Sequence, residues 1–201
     1  GSLYEDHRNH STHTSAPLFS REAGLDMLIG NLTDATWQQI RQDDNSPQAA
    51  AYRWLIEDPY FASMPPWRHR QRFALATLFY SLHGHDWPAS SQAGWLSYDI
   101  PECEWHSGHI SPCSSDGEYQ RLVLEGLPNL RGGLPAEVAL LSGLQEIAIT
   151  GTRTHLSLED VLPLELAELS NLESIDFSDL KLLGSTIPTY MSQFALLKKL
   201  H

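Results

Sequence analysis

Two six-residue stretches in the second half of the chain share one pattern: LQEIAI at 144–149 and LESIDF at 172–177. Both end with apolar residues at alternate positions, and the same alternation occurs at 122–124 and begins again at Leu200. These alternating segments start 25, 28 and 25 residues apart. Because alternation with a period of two is typical of a half-buried strand, the spacing predicts four short β-strands.

Prolines recur in step with these strands. Each one follows an aliphatic residue and lies nine residues before a leucine; the pairs are Pro135 with Leu144, Pro163 with Leu172, and Pro188 with Leu197. The middle unit is longer by three residues near 151–155. Since one such unit cannot bury its own apolar face, the repeat predicts stacked units with a parallel sheet on one side and a continuous leucine core.

The repeats resemble plant-type leucine-rich repeats, and the segment before them is similar to the N-terminal cap of the leucine-rich repeat proteins abundant in diatoms. The motifs that carry the second likeness are RFALATLFY at 72–80, GHDW at 84–87, GWL at 94–96 and ECEW at 102–105. The resemblance implies an α/β leucine-rich repeat solenoid, with the sheet on its concave face, preceded by an α-helical cap. It also implies a non-catalytic recognition module, extracellular or at the cell surface, that binds a protein or a glycan.

The chain divides into three segments on these patterns. They are a polar tail at 1–19, an α-helical N-terminal cap at 20–102, and about three and a half leucine-rich repeats at 103–201. Capping residues and prolines predict helices in the cap over 20–30, 33–41, 46–58 and 67–82. The last helix has an apolar stripe at helical spacing, formed by Leu75, Leu78, Phe79 and Leu82.

The charge balance excludes two classes of partner. The 201 residues include 13 Lys and Arg against 25 Asp and Glu, for a net charge of −12, which repels phosphate backbones and anionic lipid surfaces. No apolar stretch reaches the ~18–20 residues that a transmembrane helix requires. We therefore expect no nucleic-acid partner and no membrane insertion of this sequence.

The outward-facing strand positions predict where a ligand binds, because side chains alternate across a sheet and only one set points away from the core. This face is mixed in charge and lacks aromatic residues, which favours a polar ligand or a modest protein contact. An ordinary solvated sheet face is the alternative. The candidates are Arg121, Glu146, Ser174 and Lys199 in a first row, Val123, Ala148, Asp176 and His201 in a second, and Glu125, Thr150 and Ser178 in a third.

The resemblance also implies a disulfide between Cys103 and Cys113, which flank Glu104 and Trp105 in the cap motif. Two reduced thiols in a cytosolic protein are the alternative. The sequons at Asn9 and Asn31 are glycosylation candidates that suit a secreted or cell-surface protein.

Histidines give the competing enzyme hypothesis, a His-based metal-dependent hydrolase. The chain has ten, and His7, His10 and His13 are spaced three apart. A catalytic zinc site needs three or four ligands in fixed geometry, and the sequence has no HExxH motif, Cys-x-x-Cys pair or phosphate-binding glycine loop. We therefore expect no catalytic residues, no metal and no cofactor.

Two further groups of side chains have alternative interpretations. The basic run RHRQR at 68–72 is either an exposed helix face or a docking surface for an acidic partner or glycan. Trp87, Trp95 and Trp105 either pack between the cap and the first repeat or form a platform on which a carbohydrate stacks.

The C-terminal end of the sequence has no polar capping turn. Phe194, Leu196, Leu197 and Leu200 lead to His201, one residue into the predicted fourth strand. Because an uncapped repeat leaves an apolar edge, we expect either further repeats or a homodimer through this open edge. Self-assembly makes an architectural cell-wall protein the second functional alternative.

Overall fold

The computed structural model describes residues 32–105, 111–127, 130–150, 162–178 and 189–201. Helices occupy the first of these segments, and the other four each contribute one strand to a parallel sheet. The predicted α/β class is confirmed. The tail at 1–19, the helix predicted over 20–30, and the sequons at Asn9 and Asn31 lie outside the described residues.

Capping side chains set where the first helices begin. The Thr33 hydroxyl accepts a hydrogen bond from the Thr36 amide at 3.2 Å, and the Ser46 hydroxyl accepts one from the Ala49 amide at 3.0 Å. These bonds satisfy amides that the first turn of a helix leaves without partners. The helices are α1 (Asp34–Gln42), α2 (Pro47–Glu57), α3 (Pro66–Ser81) and the single-turn α4 (Ala89–Gln92).

The predicted bounds of α1, α2 and α3 are confirmed to within one residue at each end. This accuracy follows from local signals: a capping hydroxyl or a proline begins each helix. None of the described helices is long and apolar enough to cross a membrane.

The four strands lie side by side in chain order, and all three neighbouring pairs are parallel. Their register aligns the first apolar residue of each strand, which confirms the predicted spacing of 25, 28 and 25 residues. The strands are β1 (Arg121–Glu125), β2 (Glu146–Thr150), β3 (Ser174–Asp176) and β4 (Lys199–Leu200).

A 3₁₀ helix lies between each strand and the next. Two of them, Ala136–Leu140 and Leu164–Glu168, follow the recurring prolines Pro135 and Pro163, whose extended backbone immediately precedes the helix. The third is Thr189–Gln193, and neighbouring 3₁₀ helices contact one another. The connections therefore form a second layer that packs beside the sheet in the same order as the strands.

Aliphatic side chains from both layers fill one continuous core. The strands contribute Leu122, Ile147 and Ile175, and the turns before β2 and β3 contribute Leu144 and Leu172; each of these five is fully buried. Burying a leucine or isoleucine stabilises a fold by ~1.5–3 kcal/mol. Because the same few positions recur in each unit, β1, β2 and β3 add similar increments to the core.

The third helix α3 continues this core into the helical region. It packs against α2 and against the 3₁₀ helix Ala136–Leu140. The predicted apolar stripe is buried, but so are four polar residues that an apolar pattern does not mark. These residues are His69, Gln71, Arg72 and Thr77.

A glycine allows the segment after β1 to approach the end of α3. Gly132 has a φ of +85°, and a Cβ there would lie 2.0 Å from the carbonyl oxygen of Ser81. The Ser81 hydroxyl donates a hydrogen bond to the Gly133 carbonyl at 2.7 Å. Any larger residue at 132 would push the connection away from the helix.

The strand β4 lies at one edge of the sheet. Leu200 in this strand is 45% exposed, and Leu196 just before it is 47% exposed. Apolar side chains thus lie at the surface here, as the sequence predicts. The homodimer through this edge stays a prediction.

Candidate functional site

One face of the sheet carries the polar residues that the sequence assigns to ligand binding. The register places Arg121, Glu146, Ser174 and Lys199 in one row, and it places Val123, Ala148 and Asp176 in the next. Backbone hydrogen bonds between β3 and His201 extend the second row. Glu125 pairs with Thr150 in a third row, and Ser178 follows β3 on the same side of the chain.

The members of this face differ in how much surface they offer. Glu125 and Lys199 are exposed, whereas Arg121 and Asp176 are half-buried. Ala148 is only 5% exposed, so it offers little surface to a ligand, and its role in binding stays a prediction. Its strand lies between two others, and the larger neighbours Val123 and Asp176 flank the short methyl group on both sides.

Asp176 is held by two hydrogen bonds from one neighbour. The Ser178 hydroxyl and the Ser178 amide both donate to Oδ1 of Asp176, the amide at 2.8 Å. These two hydrogen bonds and the nearby His201 lower the pKa of Asp176. The carboxylate is therefore a fixed acceptor at neutral pH.

At the other side of the sheet, Arg121 is held in place. Its Nη2 donates a hydrogen bond to the Ser111 carbonyl at 3.0 Å, which leaves the rest of the guanidinium available as a donor. The first row thus has a cation at each end, with Glu146 and Ser174 between them. Such a surface can form hydrogen bonds and ion pairs with a polar ligand, and among its described residues none is aromatic.

A second polar cluster is buried within the helical region. Arg72 of α3 is completely buried, with its guanidinium 3.2 Å from Asp58 and 3.1 Å from Glu102. It also donates to the Ser97 carbonyl at 3.0 Å. The Trp54 and Trp105 rings lie 4.9 and 5.2 Å from its guanidinium carbon, where cation–π attraction adds to the ion pairs.

Glu102 connects two arginines of the same helix. Arg68 donates to both of its carboxylate oxygens, through Nε at 3.1 and 3.2 Å and through Nη2 at 3.0 Å. Burial alone would raise the pKa of Glu102, but hydrogen bonds, first of all those from Arg68, hold it below its usual value. Glu102 is therefore ionised, and its charge is compensated inside the protein.

Gln71 extends this cluster to the segment that leads into β1. Its amide nitrogen donates to Glu102 and to the Gly117 carbonyl, both at 2.9 Å, and its oxygen accepts the Tyr119 amide at 2.7 Å. The predicted disulfide joins the same region: Cys103 and Cys113 are bonded, with their Cα atoms 5.6 Å apart. The Gln71 hydrogen bonds and the disulfide thus join the helical region to the segment that leads into β1, whereas the ion pairs of Arg68 and Arg72 lie within the helical region.

Both alternative interpretations of the basic run at 68–72 are wrong for its key residue. Arg72 is neither on an exposed helix face nor free to dock an acidic partner, because internal carboxylates surround it. One sequence signal could have indicated the burial of Arg72. Two acids, Asp58 and Glu102, lie next to prolines in the turns on either side of α3. No local rule pairs them with Arg72, since the partners are 14 and 30 residues away.

The tryptophans of the cap motif belong to the core. Trp87, Trp95 and Trp105 are 4%, 7% and 1% exposed, and the centroids of successive rings lie 5.4 and 5.6 Å apart. The packing interpretation is confirmed, and the carbohydrate-stacking interpretation of these three rings is wrong. Aromatic rings at such separations stabilise each other beyond the burial of their area.

The histidine hypothesis finds no supporting cluster in the described segments. Within residues 32–105, 111–127, 130–150, 162–178 and 189–201, no three His, Cys, Asp or Glu residues are grouped to hold a metal ion. His85 packs against the Phe79 and Tyr80 rings. His7, His10 and His13 lie outside the described residues.

These observations define the class of the molecule as an α/β protein with a parallel sheet, one polar sheet face and a helical region that contains buried ion pairs and is linked to the segment before β1 by hydrogen bonds and a disulfide. Comparison with known proteins adds no family to this class: no family model matches the chain, and no curated protein is similar enough to count as a relative.

Proposed function

We propose that the chain is a leucine-rich repeat solenoid with an α-helical N-terminal cap, and that it recognises a protein or glycan partner outside the cell without catalysing a reaction. The observation that carries the proposal is the register of the four strands, which gathers separated polar residues into rows on one face. A recurring unit of about 25 residues with one short strand is the pattern of a leucine-rich repeat.

The arrangement of the connections supports the solenoid. A 3₁₀ helix follows each of β1, β2 and β3, and the turns before β2 and β3 return the buried Leu144 and Leu172 to the core. In a repeat protein each unit buries its apolar face only against its neighbours. In such a stack the outward-facing side chains of each row are not required for packing against the next unit.

The chemistry of the face favours a broad, polar partner. Strands about 4.8 Å apart give a four-stranded face roughly 14 Å wide, which suits an extended peptide or an oligosaccharide better than a small molecule in an enclosed pocket. Arg121 and Lys199 provide positively charged hydrogen-bond donors, and Asp176 provides a negatively charged acceptor. Contacts of this type set specificity and association rate more than raw affinity.

The disulfide supports a location outside the cytosol. The Cys103–Cys113 bond closes a short loop at the junction between the helices and the sheet. Structural disulfides persist in oxidising compartments and are rare where glutathione keeps thiols reduced. Free thiols at both cysteines in the unreduced protein from its natural source, measured by mass spectrometry, would contradict the extracellular assignment.

The ligand proposal is tested by paired charge reversals. The intact protein is screened against a glycan array and a panel of extracellular proteins, and every ligand found is then titrated against Arg121→Glu/Asp176→Arg. The matched control is Arg131→Glu/Glu168→Arg, which reverses two exposed charges away from the face. We expect at least a tenfold loss of affinity in the first variant and none in the control. Equal binding by both variants would contradict the sheet face as the binding surface.

A further inference from the structure

A cleft between α1 and α2 is lined by more basic than acidic residues, although the protein as a whole is acidic. It encloses about 350 Å³ and is lined by Trp37, Ile40, Arg41, Asp44, Ala49, Tyr52 and Arg53. Its volume falls within the range of small-molecule sites, which combine apolar and aromatic walls with a few polar groups. The cleft does not include any residue of the polar sheet face.

The lining includes two guanidinium groups, those of Arg41 and Arg53. Arg41 lies over the Trp37 ring, with its guanidinium carbon 5.2 Å from the ring centroid. Arg53 donates through Nη2 to the Asp44 carbonyl at 2.8 Å. Within the part of the chain that the structure describes, neither arginine forms an ion pair, although the chain has nearly two acids for every base.

These contacts hold the two cations in place before any ligand arrives. Stacking on Trp37 orients the planar Arg41 group, and the backbone bond fixes Arg53 while leaving other N–H donors available. A guanidinium binds a carboxylate through two parallel hydrogen bonds, a geometry that lysine does not provide. The cleft is therefore arranged for a carboxylate.

The remaining lining residues indicate what the carboxylate is attached to. The Trp37 and Tyr52 rings meet edge to face, with centroids 6.1 Å apart, and present aromatic carbon to the cleft. Asp44 is exposed at its rim and supplies an acceptor for hydroxyl groups. A sugar ring combines these needs, since its C–H face packs on aromatic carbon and its hydroxyls donate to a carboxylate.

We propose that the cleft between α1 and α2 binds a carboxylate-bearing sugar of one or two rings. The carboxylate pairs with Arg41 and Arg53, the ring packs against the aromatic wall, and Asp44 accepts from hydroxyl groups. This site is separate from the polar sheet face. If the cleft does not bind such a sugar, the proposal of recognition by the sheet face is unaffected, and a failure of the sheet-face proposal likewise leaves the cleft proposal unaffected.

The test is a titration of the intact protein with glucuronate, followed by ligand-observed and protein-observed NMR. We expect saturable binding that weakens as salt is added, because the attraction is between charges. Arg41→Met and Arg53→Met should each weaken binding at least tenfold, while Arg41→Lys should keep part of it. Arg131→Met removes an exposed arginine elsewhere and should have no effect; thermal unfolding checks that all variants fold.

Three comparison ligands decide the chemistry. Methyl glucoside lacks the carboxylate, phenylacetate lacks the hydroxyls, and inorganic phosphate lacks the ring; each should bind at least tenfold more weakly than glucuronate. Equal binding of methyl glucoside or of phosphate would overturn the carboxylate assignment. Equal binding of phenylacetate would overturn the sugar assignment. The site itself would be overturned if glucuronate did not bind saturably, or if both Met variants bound it as well as the parent protein.

Discussion

The helical region and the sheet region place their charged residues differently. Arg72 and Glu102 are buried together in the helical region, where the Trp54 and Trp105 rings lie over the Arg72 guanidinium. In the sheet, charged residues lie on the surface, and the interior positions are aliphatic. The sheet is thus specified by a repeated apolar pattern, whereas the helical region depends on a few polar contacts that occur once.

The difference matters because the two kinds of interaction respond differently to mutation. Removing one partner of a buried ion pair leaves the other charge without compensation in a poorly polarisable environment. Removing a surface charge leaves its partner in water, which solvates it. Substitutions of the same chemical type should therefore have unequal effects in the two regions.

The largest effect is expected for Arg72→Met. This variant leaves Asp58 and Glu102 buried with less compensation and should lower the free energy of unfolding by ~3–5 kcal/mol. Urea unfolding measures it. The matched control is Arg121→Met on the sheet face, where we expect a change of at most ~0.5 kcal/mol. Similar losses in both variants would break the contrast between the two regions.

Cleavage of the disulfide should have the next largest effect. Cys103→Ser/Cys113→Ser frees the loop that ties the helical region to the segment before β1, and the expected loss of stability is ~2–4 kcal/mol. The free energy of unfolding is compared for the variant and the unreduced parent protein. A reductant should lower the stability of the parent by a similar amount and leave the variant unchanged. Unchanged stability of the variant would show that non-covalent contacts, such as the Gln71 hydrogen bonds to Gly117 and Tyr119, hold the junction without the disulfide.

A smaller, pH-dependent effect is expected from His69 in the helical region. Its Nε2 lies 2.7 Å from the Phe61 carbonyl oxygen, and burial lowers the pKa of this histidine, with Asp58 and Arg72 acting in opposite directions. The unfolded chain therefore binds a proton at His69 more readily than the folded protein does. The neutral ring contributes its full share to the free energy of unfolding above about pH 6.5, the ordinary histidine pKa, and this share is lost as the pH falls through the lower pKa of the folded protein.

The measurement is urea unfolding of the parent and of His69→Gln between pH 7.5 and 5. We expect the variant to lose less stability than the parent over this range, because the neutral amide does not titrate. His201→Gln on the exposed sheet end is the control and should keep the slope of the parent. A parallel decline in the parent and in both variants would show that His69 does not contribute.

The smallest effect is expected for Ser178→Ala on the sheet face. Loss of the hydroxyl removes a hydrogen bond to Asp176, so the pKa of Asp176 should rise toward its ordinary value. NMR titration of the Asp176 side chain measures the change. The free energy of unfolding should change by no more than ~0.5 kcal/mol, as for other surface substitutions. An unchanged pKa would mean that the Ser178 amide alone orders this carboxylate.

The local signals of the sequence predicted the elements well. Thr33, Ser46 and the prolines before α2 and α3 fixed the helix bounds, because capping depends on residues within one turn of each other. The alternating apolar pairs predicted all four strands and their register, because a repeated spacing leaves few ways to align them. The disulfide came from the likeness of the cap motif and is also present.

The site was predicted less completely. Alternation placed Ala148 on the polar face, but the exposed area of a side chain depends on the size of its neighbours in adjacent strands. The cleft lined by Arg41 and Arg53 was not predicted, since it forms only where α1 and α2 pack together.

The sequence alone determined the α/β class, the helices of the described cap and the rows of the sheet, because these follow from interactions between near neighbours and from a repeated period. Only the tertiary structure decided that Arg72 is a buried link rather than a surface charge. Its partners, Asp58 and Glu102, reach it from separate turns. A buried charge is stable only where opposite charges contact it in the folded protein. Residues far apart in the sequence make this contact, so no local sequence pattern predicts it.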